Sequence, residues 1–297
     1  MRRAVALIAA LALAAGGCGK GNDEEAASLL KRGLATDVET GLMALDAELE
    51  LEGLGQLDGP LRLRVEGPFR AAGGPTEMPD LDVDFRASGA GQEFTGRVVL
   101  TRENAWVEFR GATYEVGEEL WARARAALAQ QQDPGAPETL AEAGIDPLEW
   151  VEEAETGGEE TVDETQATEV TAKLDVESML RDFNGIPGAT QGRLPESTLR
   201  DAKDVVEDVE LEALIGEDDI WRRISAETDF EVPEAERDST GGLEGGRVEL
   251  HIQLAQPNEP VEIEGPGRGR PIDELLRQLG IPPELLLGPG FAQPSPN

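Results

Sequence analysis

The chain has 297 residues and carries 61 Asp and Glu against 26 Lys and Arg, a formal net charge of −35, with one histidine and one cysteine. That field repels phosphate and excludes nucleic acid as a partner, and a single cysteine excludes an internal disulfide framework. Strong acidity with only 4% aromatic residues is a mark of disorder, but the 39% of apolar residues are spaced with the regularity of a folded chain.

The N-terminus reads as an export signal. Arg2 and Arg3 precede an apolar run from Ala4 to Ala15, which ends in Gly16-Gly17-Cys18. Basic, apolar, then small is the order of a secretory leader, and a run of about a dozen residues is too short to span roughly 30 Å of hydrocarbon. Ala15-Gly16-Gly17-Cys18 resembles the bacterial lipobox, with alanine where leucine is more usual, so Cys18 stands at the lipidation position. The expected organisation is a signal over residues 1–17, lipidated Cys18 with a polar tether through residue 23, a folded domain over residues 24–281 and a Pro/Gly-rich tail over residues 282–297. At about 0.8 kcal/mol per buried CH₂, two or more acyl chains on Cys18 anchor the chain stably to the extracytoplasmic face of the cell membrane. No second apolar run is long enough to cross it.

Asp23 can cap a helix that opens with Glu24-Glu25 at its positive end and runs through Leu29 and Leu30 toward Met43. The period then becomes two. Leu49 and Leu51 alternate with glutamates, Leu61, Leu63 and Val65 with Arg62 and Arg64, and Leu81, Val83, Phe85 and Ala87 with Asp82, Asp84 and Arg86. Gly59-Pro60, Gly73-Gly74-Pro75 and Gly89-Ala90-Gly91 bound these runs, which read as antiparallel strands with one wet face. Residues 94–101, 105–110 and 113–116 continue the meander. Leu120, Ala124, Ala127 and Leu128 recur at helical spacing, and Asp146-Pro147 opens a second helix through Leu148, Trp150 and Val151. Residues 155–164, nearly all acidic or glycine, read as a solvated loop.

Val170, Ala172 and Leu174 form a further strand, after which Asp175 caps a short helix with Val176, Met179, Leu180 and Phe183. Residues 197–206 read as helix, residues 209–215 and 220–232 as two long strands, and residues 247–254 as another. Pro271 starts a last helix through Ile272, Leu275 and Leu279, stopped at Gly280. The fold class expected is α+β: one large curved antiparallel sheet with helices gathered on one face.

In the alternation Leu61 to Val65 and Leu81 to Phe85, and in Ala105-Trp106-Val107-Glu108-Phe109-Arg110-Gly111-Ala112-Thr113-Tyr114-Glu115-Val116 running straight into a helix, the chain resembles the actinobacterial lipoproteins of the LppX/LprG type, relatives of the LolA and LolB carriers. Gly144-Ile145-Asp146-Pro147, Leu174-Asp175-Val176 and the late strand-Gly-Gly-strand-helix order extend the likeness over most of the mature chain. The resemblance implies a half-barrel covered by helices, with room between for acyl chains of lipids or glycolipids and no catalytic residue.

The motifs that invite chemistry read otherwise. Asp80, Asp82 and Asp84 lack the Gly and Glu that an EF-hand loop starting at Asp80 needs, since Phe85 and Gly91 hold those positions. His251 alternates outward from Leu250 and Ile252, with no thiol to activate. Gly265 to Arg270 lacks the Gly-Lys-Ser/Thr of a phosphate loop. No metal or cofactor is implied, and no enzyme. What is left is the apolar interior. The candidates for lining an acyl-chain cavity are Leu63, Val65, Leu81, Val83, Phe85, Val98, Leu100, Trp106, Phe109, Phe183, Ile224, Ala226, Phe230, Leu250 and Ile252. Alternation alone is equally compatible with a solid core, in an acidic lipoprotein that docks to another envelope protein.

Overall fold

The alternating runs pair into one sheet. A computed structural model of the chain describes residues 21–55, 59–73, 77–131, 150–185, 205–206, 209–234, 237 and 241–280. Its strands are β1 (Thr40–Glu52), β2 (Leu61–Arg70), β3 (Asp80–Gly89), β4 (Gln92–Leu100), β5 (Ala105–Phe109), β6 (Ala112–Glu115), β7 (Val151–Val162), β8 (Thr165–Leu174), β9 (Val209–Gly216), β10 (Trp221–Glu231), β11 (Gly245–Ala255) and β12 (Arg270–Pro271). The helices are α1 (Gly21–Ala35), α2 (Glu118–Gln131), α3 (Val176–Gly185) and α4 (Ile272–Leu279).

Strand order is β12-β6-β5-β4-β3-β2-β1-β11-β10-β9-β8-β7, open at both edges. Two meanders, β1–β6 and β7–β11, join where β1 pairs β11, and every pairing is antiparallel except the short β12–β6 contact. Helices α1 and α4 lie on the same face: Ala26 and Leu30 pack on Val170, Ala172, Ala213 and Ile215, while Ile272 and Leu275 pack on Phe109 and Tyr114. This is the α+β half-barrel class, an open curved sheet with helices to one side.

Local chemistry sets the helix boundaries. The Asp175 carboxylate accepts from the Glu177 backbone N–H at 3.0 Å and the Ser178 hydroxyl at 2.6 Å, capping α3. Helix α4 ends on Gly280 in the left-handed conformation, φ 68°. Three sequence expectations are corrected. Helix α1 starts at Gly21 and stops at Ala35, and Met43 belongs to β1, because from Thr40 onward the apolar residues fall at period two. Residues 155–164 are not a loop: they form most of strand β7 and its turn, since ladder bonds to β8 hold an acidic edge strand whose other side is wet. A bulge at Gly157-Gly158 hides the alternation there. Val151 opens that strand rather than continuing a helix; Leu148 lies outside the described residues, as does the expected helix over residues 197–206 apart from its last two positions.

The strands place one set of turns at each end of the sheet. The turns after β1, β3 and β10 share one end, called here the near end; those after β2, β4, β7 and β9 share the far end.

Candidate functional site

Register builds the apolar face row by row. Across nine neighbouring strands Ala154, Ala172, Leu211, Ala226, Leu250, Ala47, Leu63, Ala87 and Phe94 stand side by side. The next row toward the far end holds Val170, Ala213, Ile224, Ile252, Leu45, Val65, Phe85, Gly96 and Phe109. One cross-strand contact shows how tightly the face is fitted. A Cβ on Gly96 would come within 2.6 Å of the Phe85 ring, so the ring lies flat across the glycine of the next strand.

Coverage of this face is uneven. Beneath α1, Val170 and Ala213 are 0% and 1% exposed. In the middle strands Leu63 is 42%, Val248 38% and Phe94 37% exposed, while Val65, Phe85, Ile224, Ala226, Leu250 and Ile252 are half-buried. The surface between α1 and α4 is thus a broad apolar strip left partly open to solvent.

Thirteen of the fifteen proposed lining residues share this face: Leu63, Val65, Leu81, Val83, Phe85, Val98, Leu100, Phe109, Ile224, Ala226, Phe230, Leu250 and Ile252. Trp106 does not. It lies three residues from Phe109 on β5, and an odd separation on a strand reverses the side chain. On the opposite face Trp106 packs under Gly265, and its indole N–H donates to the Gly267 carbonyl at 2.7 Å. The Phe183 side chain and Cys18 lie outside the described residues. Sequence reasoning missed Leu45, Ala47, Phe94 and Val248. Phe94 stands at even separation from Val98 and Leu100, the signal that places it on their face.

The opposite face is an ionic lattice. Arg97 bridges Asp82 at 2.6 Å, Arg62 bridges Glu48 at 2.7 Å, and Arg247 lies among Glu227, Asp229 and Glu249. The hydrogen bonds that Arg97 donates to Asp82 raise its guanidinium above its ordinary value, and those that Arg62 donates to Glu48 hold that carboxyl below its own. Asp80 is buried, bound by Arg70 and by the Arg102 backbone N–H, and Asp82 accepts from Arg97, so two carboxylates of the Asp80-Asp82-Asp84 run are held by different arginines. A groove of about 750 Å³ crosses this face over β7 to β11, lined by Glu153, Thr171, Lys173, Glu212, Arg223, Ser225 and His251 among others. Its carboxylates, hydroxyls and guanidinium are those of the ionic face, so volume alone does not mark it as the lipid site. Within it the His251 Nδ1 lies 2.9 Å from the Ser225 Oγ. Both strands are interior to the sheet, where backbone N–H groups serve the ladder and are not free to stabilise an oxyanion.

The sheet is thus open and antiparallel, with one partly roofed apolar face and one ionic face. No protein-family model and no curated protein matches the chain. Among solved structures it is similar to the lipoprotein LppX of Mycobacterium tuberculosis, at 13% identity and a TM-score of 0.38 over 82% of this chain and 100% of that one. It is similar to LprF from Mycobacterium bovis at the same identity and TM-score, over 82% and 98% of the two chains. A LolA-superfamily protein from Nitrosomonas europaea follows at 8% identity and a TM-score of 0.21, over 79% and 94%. These are the kinds of protein that the sequence resembles, and at such superpositions the likeness extends to fold and no further.

Proposed function

We propose that this chain is an envelope lipoprotein, anchored through Cys18, that binds or shuttles lipids or glycolipids by laying their acyl chains on the apolar face between α1 and α4. The observation that supports this reading is the partly uncovered middle of that face, where Leu63, Phe94 and Val248 stay more than a third exposed beside half-buried Val65, Phe85, Ile224, Ala226, Leu250 and Ile252. An acyl chain leaving the bilayer gains about 25 cal/mol per Å² of apolar burial in either place, so transfer is near thermoneutral and reversible. Such a role needs no catalytic group and no metal or cofactor. Among the described residues no helix is long and apolar enough to cross a membrane. Native mass spectrometry of the mature chain, purified from a lipid-containing host, tests the reading. Adducts with the masses of long-chain lipids are expected. A bare protein mass, with lipid failing to bind on addition, would leave the protein-docking alternative.

A further inference from the structure

The two edges of the sheet are finished differently. One ends on β12, two residues long, whose Pro271 offers no backbone donor and leads at once into α4. The other ends on β7, twelve residues long and without proline or lysine, the residues that commonly blunt an edge. Among the described residues β7 pairs with β8 alone. Helix α1 meets this strand on the apolar face, at Val151 and Ala154, and leaves its outer edge open: Glu152, Glu153, Glu155 and residues 157–161 are exposed. A strand so placed presents a row of N–H and C=O groups to an incoming extended chain.

The bulge at Gly157-Gly158 divides this edge, and the stretch before it, residues 151–156, borders the groove of about 750 Å³ on the ionic face. Alternate side chains of a strand added there would stand on that face, beside Glu153 and Glu155. Among the described residues the groove sets Glu153, Glu155, Glu210, Glu212 and Glu227 against Lys173 and Arg223, with His251 its one other titratable group. Arg223 is already held by Glu160 and Glu212, each at 3.2 Å. The row through Glu153 runs Glu153, Lys173, Glu210, Glu227, Glu249, Glu48 across β7, β8, β9, β10, β11 and β1. Arg62 ends that row on β2, 2.7 Å from Glu48, and Arg247 reaches Glu227 from the next row at 2.6 Å. Like charges directly opposite on neighbouring strands destabilise, and here three successive pairs, from Glu210 to Glu48, are of that kind. The edge therefore opens onto a groove with more carboxylates than cations.

We propose that residues 151–156 are a docking edge for an extended polypeptide segment with Lys or Arg at alternate positions, which adds to β7 as a further strand. Backbone bonds to β7 supply affinity, and the alternate cations meet Glu153 and Glu155 at the mouth of the groove. The same charge selects the occupant. A second copy pairing edge to edge would set the five glutamates of one β7 against five of another, so the edge that admits a basic segment rejects self-association. The groove lies on the opposite face from the apolar strip, and the proposal stands apart from the lipid reading.

The probe is a fluorescein-labelled peptide, acetyl-Lys-Val-Lys-Thr-Lys-Val-amide, titrated with the full chain in non-ionic detergent and followed by anisotropy. A second peptide of the same sequence, N-methylated throughout, keeps the charge but cannot join a ladder. Binding of the first peptide and none of the second is expected, with hydrogen exchange slowed over residues 151–156. The double variant Glu153→Gln/Glu155→Gln should bind the first peptide about fivefold more weakly. Glu93→Gln, on the same face but at β4, should bind it as the wild type does. Equal binding of the two peptides, or an equal loss in Glu93→Gln, means attraction to net charge alone and overturns the proposal. Failure of the first peptide to bind the wild type also overturns it. Protection of residues 151–156 without peptide, rising with protein concentration, gives the edge to a second copy and overturns it as well.

Discussion

Two regions of the same apolar face obey the same alternation and end differently. Under α1, strands β7 to β9 present Ala154, Ala172, Ala213 and Val170, and the helix brings Ala26, Ala27 and Gly33 to meet them. Small residues on both sides let helix and sheet approach until a Cβ on Gly33 would lie 2.9 Å from the Ile215 Cδ1. In the middle strands the same rows carry Leu250, Ile252, Leu63, Val65, Phe85 and Phe94, bulkier and half-exposed. The same alternation is closed by α1 at one side and stays partly open in the middle, although small residues such as Ala47, Ala87 and Ala226 stand there too.

Truncation should separate the regions most widely. Leu30 is 2% exposed and inserts into the α1 contact, so Leu30→Ala should cost about 2–5 kcal/mol by lost transfer energy and residual cavity. Leu63→Ala, at a site 42% exposed, should stay within about 0.5 kcal/mol. Urea denaturation of both variants checks this, and similar losses would mean that the middle is core after all.

Enlargement should reverse the pattern in function. Ala226→Trp fills the open strip and should reduce lipid uptake with little change in melting temperature. Ala213→Trp, at a fully buried site, should overpack the α1 contact and cost about 1–3 kcal/mol or more while leaving uptake per folded molecule intact. A collapse in stability for Ala226→Trp with no lipid bound by the wild type would favour the solid-core alternative.

Much of the apolar face itself was legible before the structure. Alternation through Leu61–Val65, Leu81–Ala87 and Ile224–Phe230 assigned faces that the register confirms, because neighbours on a central strand leave few other arrangements. Where reasoning failed, a local signal was absent or outvoted. Strand β7 reads VEEAETGGEETV, a sequence whose composition belongs to a loop and whose strand state depends on ladder bonds to β8. Trp106 was grouped with Phe109 by size, although a three-residue separation on a strand sets them on opposite faces. Which apolar positions are roofed was not legible, since that depends on where α1 returns in space, and no local pattern records it.

The smallest effect belongs to the other face and should leave both apolar regions untouched. Glu48 accepts two hydrogen bonds from Arg62, which hold its carboxyl below the ordinary value against a smaller opposing effect of burial. A carboxyl depressed in the folded state contributes stability above its unfolded value and loses it as pH falls through the folded one. Both partners sit at the surface, where solvent screens the pair, so the contribution is slight. Glu48→Gln should therefore melt slightly below the wild type near pH 7 and converge with it as pH falls through the lowered folded value of the carboxyl. Lipid uptake should be identical at both, because Glu48 alternates away from Ala47 and Leu49 on β1. A difference in melting temperature that persists in acid would show that the variant lost packing rather than charge. A change in uptake would show that the ionic face and the apolar strip are coupled through the sheet, against the separation of roles drawn above.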